Sequence, residues 1–85
     1  MATQLLAVGS TAASSSDLVV TDDVTVSIKG FTGPEAFVAI ELKDDAAAYV
    51  AVGTLTTSHP ATVISAPGTY RFTRRAGATC GVFSA

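Results

Sequence analysis

The stretch from His59 to Thr73, HPATVISAPGTYRFT, restricts the fold more than any other part of this chain. Ala66-Pro67-Gly68 is a corner. Proline presets the φ angle of the first central position of a type I or II turn, and glycine supplies the positive φ of the next. Before the corner, Ala61 to Ala66 carries the β-branched Val63 and Ile64; after it, Tyr70 and Phe72 alternate with Arg71 and Thr73. Side chains alternate across a strand, so the pattern predicts two short strands, the second with Tyr70 and Phe72 in a core and Arg71 and Thr73 on the opposite face.

The same period of two recurs upstream. Val24, Val26 and Ile28 alternate with Thr25, Ser27 and Lys29, and within Ala36 to Lys43 the inward set is Val38, Ile40 and Leu42. Asp44-Asp45-Ala46 reads as a turn. Ala47 to Thr56 follows as a strand with Tyr49, Ala51, Gly53 and Leu55 on one side and Val50, Val52 and Thr54 on the other, so that 36–56 forms a hairpin. Glu, Leu, Lys and Ala in 36–52 favour helix, but the β-branched content and the period decide for strands. Asp17 to Val20 is a short apolar run closed by Thr21-Asp22-Asp23, and Thr79 to Ser84 is a last strand. Gly30 to Glu35, Thr57 to Pro60 and Arg74 to Ala78 are loops. Short strands at such even spacing predict an all-β fold, a small antiparallel β-sandwich of about six to eight strands, with successive strands paired.

Residues 1–16, MATQLLAVGSTAASSS, have an apolar patch at Leu5, Leu6 and Val8 and then a small-residue tract without periodicity. They read as a frayed terminus or as an extended N-terminal arm, ahead of a single sandwich domain over 17–85. The patch is too short for the apolar core of a secretion signal and follows no basic segment. No apolar run approaches the ~18 residues of a membrane helix. Cys80 is the only cysteine, which excludes a disulfide within the chain and fits folding in a reducing cytosol. Net charge is −2 but divided: residues 1–45 hold all seven acids and two lysines, whereas 46–85 hold Arg71, Arg74 and Arg75 and no acid. If early and late strands are neighbours, these charges neutralise within the sandwich; otherwise they mark complementary faces of subunits or of a charged host surface.

Chemistry finds little purchase. His59 and Cys80 each occur once, so no zinc-ligand spacing exists, and Asp22-Asp23 and Asp44-Asp45 lack the alternation of a calcium loop. There is no nucleophile elbow and no glycine-rich phosphate loop. Tyr70 to Arg75 interleaves aromatics with arginine as single-strand-binding proteins do. Here Tyr70 and Phe72 face away from Arg71, leaving it no stacking platform beside it, and pI ≈ 4.9 gives a weak electrostatic footprint. The expectation is a protein that is not an enzyme, has no cofactor or metal, and binds neither nucleic acid nor membrane.

Pro67-Gly68-Thr69-Tyr70 followed by Phe72 resembles the tyrosine corner of immunoglobulin-like sandwiches, where the phenol bonds back to upstream backbone; the disulfide and core tryptophan of those domains are absent. The likeness implies an immunoglobulin-like or jelly-roll-like sandwich and no particular function. As a whole, the small-residue N-terminal segment, the alternating strands, and the close of Ala66-Pro67-Gly68-Thr69-Tyr70-Arg71 and Cys80-Gly81-Val82-Phe83 look like small structural proteins of tailed bacteriophages. That resemblance implies a virion component made in the host cytoplasm. It would be a capsid decoration (cement) protein binding the major capsid protein or other virion proteins, as a homo-oligomer (trimer or higher). The alternative is a head–tail or tail accessory or adhesin module on a host receptor or glycan. A sugar site would need an exposed aromatic platform from Tyr49, Phe31 or Phe37, since there is no tryptophan. The contact residues expected for the virion role are Leu5, Leu6 and Val8 in the arm and Phe31 in its Gly-Pro loop, with Arg74 and Arg75 for salt-sensitive pairing.

Overall fold

The computed structural model describes residues 3–31, 36–77 and 79–85; the Gly-Pro loop expected after Phe31 lies outside them. The described residues form no helix. They make nine strands: β1 Thr3–Gly9, β2 Ala13–Ser14, β3 Leu18–Val20, β4 Val24–Lys29, β5 Phe37–Lys43, β6 Tyr49–Thr56, β7 Ala61–Ile64, β8 Gly68–Arg74 and β9 Cys80–Ser84. All pairings are antiparallel. One sheet has the order β1-β9-β4-β7; the other runs β2-β8-β5-β6, with β3 also on β8. The predicted sandwich is therefore present, with more strands than expected because the N-terminal segment supplies two. Successive strands pair in only one place, the β5–β6 hairpin. β2 and β3 lie in turn along β8, and every other connection passes from one sheet to the other. Two facing apolar sheets stand only ~10 Å apart, a gap that a loop of a few residues spans.

The inward faces follow the period of two. Val26 and Ile28, Val38 and Ile40, Tyr70 and Phe72, and Cys80 and Val82 are all buried, joined by Val20, Leu55 and Ile64. The Tyr70 hydroxyl donates to Ala66 O at 2.8 Å, tying the start of β8 to the corner before it. Gly68 has a different role from the one expected. Its φ of 159° is nearly extended, and it opens β8 opposite Val20. Its φ is nevertheless positive, and Leu42 Cδ1 lies 2.9 Å from where a Cβ would stand, so backbone and contact both favour glycine.

Strict alternation fails along β6. Ile40 pairs with Gly53 but Glu41 with Ala51, so Val52 is an extra residue, a β-bulge. Tyr49 and Ala51 pair with Lys43 and Glu41 on the outer face, whereas Gly53 and Leu55 pair with Ile40 and Val38 on the core face. The four residues that a continuous alternation puts on one side are thus split between two.

Within residues 1–16, expected as an arm or a frayed terminus, 3–9 and 13–14 are strands paired within the chain. β1 runs along β9 with a register shift between Gln4 and Leu6. The extra residue, Leu5, lets two consecutive leucines both pack partly buried against the core. The backbone at 6–8 comes so close to Gly81 that a Cβ there would stand 2.7 Å from Leu6 O. The serine tract is equally engaged. Ser15 N–H donates to Phe72 O at 2.8 Å, and its buried hydroxyl accepts from Phe72 N–H at 3.0 Å, so a side chain stands in for a strand carbonyl.

The β5–β6 turn is held by Asp44, whose Oδ1 accepts from the N–H groups of Ala46 and Ala48 at 2.9 Å each. This forces Ala47 to φ 63°, in the left-handed region where an L-residue is strained by ~1–2 kcal/mol. Part of that relief is offset by glycine's greater freedom in the unfolded chain, so Ala47→Gly is expected to add about 0.5–1 kcal/mol. A thermal melt should show Tm rising by roughly 2–8 °C; an unchanged or lower Tm would contradict a strained turn.

Candidate functional site

Four connections, β1–β2, β4–β5, β6–β7 and β8–β9, lie at one end of the sandwich. That end is organised by Arg74. As the last residue of β8 it continues the inward set of Tyr70 and Phe72, and it is only 4% exposed. Among the described residues no carboxylate pairs with it. Its Nε donates to Thr11 O at 2.6 Å, and its Nη1 donates to Ala7 O and Cys80 O at 2.8 Å each. A cation drawn out of water needs such charge-assisted bonds to remain tolerable. Here they tie β8 of one sheet to β1, β9 and the β1–β2 link of the other. Gly9 leaves space for the guanidinium, since a Cβ there would be 3.1 Å from Nη2.

Around this clamp the sequence-predicted contact residues separate. Arg74 is not available for salt-sensitive pairing, contrary to expectation, because its donors are turned inward. Leu5 and Leu6 are half-buried against the core. Val8 and Phe31 remain exposed, 48% and 39%. Both lie at the same end, near the ends of β1 and β4: Val8 packs over Gly30, with Cγ2 2.9 Å from the position of a Cβ there, and Phe31 is the next residue in the chain. Gly30 sits at φ 57°, so contact and backbone both call for glycine. Arg75 is exposed at the same end. Its N–H bonds Phe37 O at 3.0 Å, and its guanidinium lies 4.1 Å from the Phe37 ring centroid. Neither the burial of Arg74 nor the role of Phe37 was expected, although Arg74 stands in period with Tyr70 and Phe72.

The outer face of the five-stranded sheet carries a connected polar ladder. Arg71 Nε and Nη2 both reach Glu41 Oε1 at 2.9 Å, and the Thr73 hydroxyl donates to the same oxygen at 2.6 Å. With its proton committed to Glu41, Thr73 accepts from Ser14 Oγ at 3.0 Å. Arg71 also has the stacking platform that its own strand cannot offer: its guanidinium lies 3.7 Å from the centroid of the Tyr49 ring, reaching across β5. The Tyr49 hydroxyl donates to Asp17 Oδ1 at 2.7 Å, and Lys43 Nζ lies 3.6 Å from Asp17 Oδ2. Glu41 and Arg71 neutralise across the acidic and basic parts of the sequence; Lys43 and Asp17 do so within the acidic part. The Thr73 hydroxyl, followed by Arg71, holds the Glu41 carboxyl below its usual range. The Tyr49 hydroxyl, followed by Lys43, does so for Asp17, and Asp17 in turn raises the Tyr49 phenol.

Cys80 is buried, and desolvation pushes its thiol up. His59 is exposed at the β6–β7 link, where its backbone exchanges bonds with Thr56. No group of three or more His, Cys, Asp or Glu side chains among the described residues is placed to hold a metal ion. Comparisons with protein-family models, curated proteins and solved structures found no match.

Two predictions follow from these contacts. Removing the clamp with Arg74→Ala leaves three carbonyls without their donor and is expected to cost about 3–5 kcal/mol; Arg75→Ala should cost less than about 1 kcal/mol. Urea unfolding of both variants measures the difference, and equal effects would refute the clamp. Because the folded Glu41 carboxyl titrates below its ordinary 4.5, its contribution is complete above that pH and is lost as pH falls through the lower folded value. Melting from pH 7 down to 2 should therefore show acid destabilisation beginning below 4.5 and weakened in Glu41→Gln.

Proposed function

We propose that this chain is a non-enzymatic structural protein of a virion, a decoration protein that docks on repeated copies of a major capsid protein. The observation that carries the reading is the pair of exposed apolar side chains, Val8 and Phe31, mounted on an end that Arg74 makes rigid. Apolar anchors on a pre-ordered surface lose little entropy on binding, and a few such anchors supply most of an interface's affinity. Arg75, exposed beside Phe37, adds a cation at the same end. The likeness to small tailed-phage structural proteins supplies the class of partner. Against catalysis stand a buried thiol held protonated and an arginine at Arg74 whose donors are bound to carbonyls.

The adhesin alternative draws less support. Arg71 covers a face of Tyr49 and Arg75 a face of Phe37, so of the three candidate aromatic platforms Phe31 is the most open.

Co-sedimentation of the full chain with assembled shells of the capsid protein from the same genome tests the proposal. Saturable binding in a fixed ratio to capsid subunits is expected. Phe31→Ser together with Val8→Ser should weaken it by about 10–100-fold. No binding to shells, or binding untouched by the double substitution, would refute this docking mode.

A further inference from the structure

The two sheets end side by side at β6 and β7. From Ala46 to Tyr70, a span that includes both strands, the sequence has no Asp, Glu, Lys or Arg. All charged side chains of the described residues fall within 17–45 and 71–75. This neutral side is also apolar: Val50, Val52 and Val63 are 50%, 53% and 58% exposed. Val52 and Val63 flank a groove of about 490 Å³ whose walls include Ile40, Ile64 and Tyr70.

Exposed edge strands are ordinarily protected by lysine, proline or an inward charge, because their free N–H and C=O groups recruit another strand. β6 is eight residues long and contains none of these. Among the described residues no strand is laddered to its outer side, which carries one isolated bridge, Thr56 with His59, so the backbone edge over Tyr49 to Leu55 has no strand partner. Its bulge turns Val52 toward the groove rather than covering the edge.

We propose that the β6 edges of two copies pair antiparallel about a two-fold axis, joining their five-stranded sheets into one. Charge selects the second copy as occupant. A charged partner would bury its ions against a surface that offers no counter-ion, whereas a two-fold contact of the 46–70 side with itself brings no charge against its like. Antiparallel pairing is the relation a two-fold gives to one strand. It uses main-chain bonds and needs no second complementary sequence, and Val50, Val52 and Val63 of both copies are then covered together. The dimer would present two docking ends of the kind assigned above, on which it does not depend.

Sedimentation equilibrium of the full chain tests the pairing. The wild type is expected at twice the monomer mass at high concentration. Val52→Lys and, separately, Val63→Lys should shift it to monomer while the far-ultraviolet spectrum is kept, and Val8→Lys should leave it dimeric. A monomeric wild type, or folded lysine variants that stay dimeric, would overturn the proposal. A monomeric wild type that loses shell binding in Val52→Lys would assign the edge to a capsid partner and overturn it equally. Loss of the dimer with shell binding retained separates this inference from the proposed docking end.

Discussion

The Arg74 guanidinium is the constraint on which much of the structure depends. It is a buried cation with no anion beside it among the described residues, and three backbone carbonyls, Ala7 O, Thr11 O and Cys80 O, converge on it. Two of them, Ala7 O and Thr11 O, belong to the N-terminal segment. That segment has few large side chains with which to offset its ordering entropy, so it needs polar anchorage. Arg74 provides it, and Gly9 and Gly81 leave room for the guanidinium and for the close backbone contact that seats β1. The same bonds join the two sheets at one end and give the exposed Val8 and Phe31 a fixed base.

Charge is distributed by the fold in a way that separates surfaces. Arg71, Glu41, Thr73, Tyr49, Asp17 and Lys43 form a self-satisfied ladder on one sheet face, leaving few free ionic groups there. The uncharged residues come together at the β6–β7 side. A sandwich built this way offers apolar contact at one end and an uncharged edge along one side, with exposed charges such as Asp22, Asp23, Asp45 and Arg75 in the turns.

Much of the fold was legible in the chain. The alternating runs at 24–29, 36–43 and 68–73 gave strands and correct inward faces, because a core-facing strand must repeat every two residues. The Pro67-Gly68 corner and Tyr70 marked the start of β8. What escaped was whatever does not repeat. The serine tract lacks any period because Ser15 works by a hydroxyl that replaces a carbonyl, and the bulge at Val52 switched the faces of β6 midway. Of the candidate contacts, Val8, Phe31 and Arg75 are exposed, while the burial of Arg74 was missed because it was read as the start of a loop rather than as the last residue of β8, in period with Tyr70 and Phe72.

By itself, then, the sequence determined the class of structure, since local alternation and turn chemistry are written within a few consecutive residues. Only the tertiary structure decided which strands are neighbours, that residues 3–14 belong to the sandwich, that Arg74 is buried and Arg75 is not, and that the uncharged run forms an open edge. Each of those depends on partners far apart in the chain, such as Arg74 with Ala7 or Glu41 with Arg71, and their pairing follows from how the two sheets pack rather than from any local pattern.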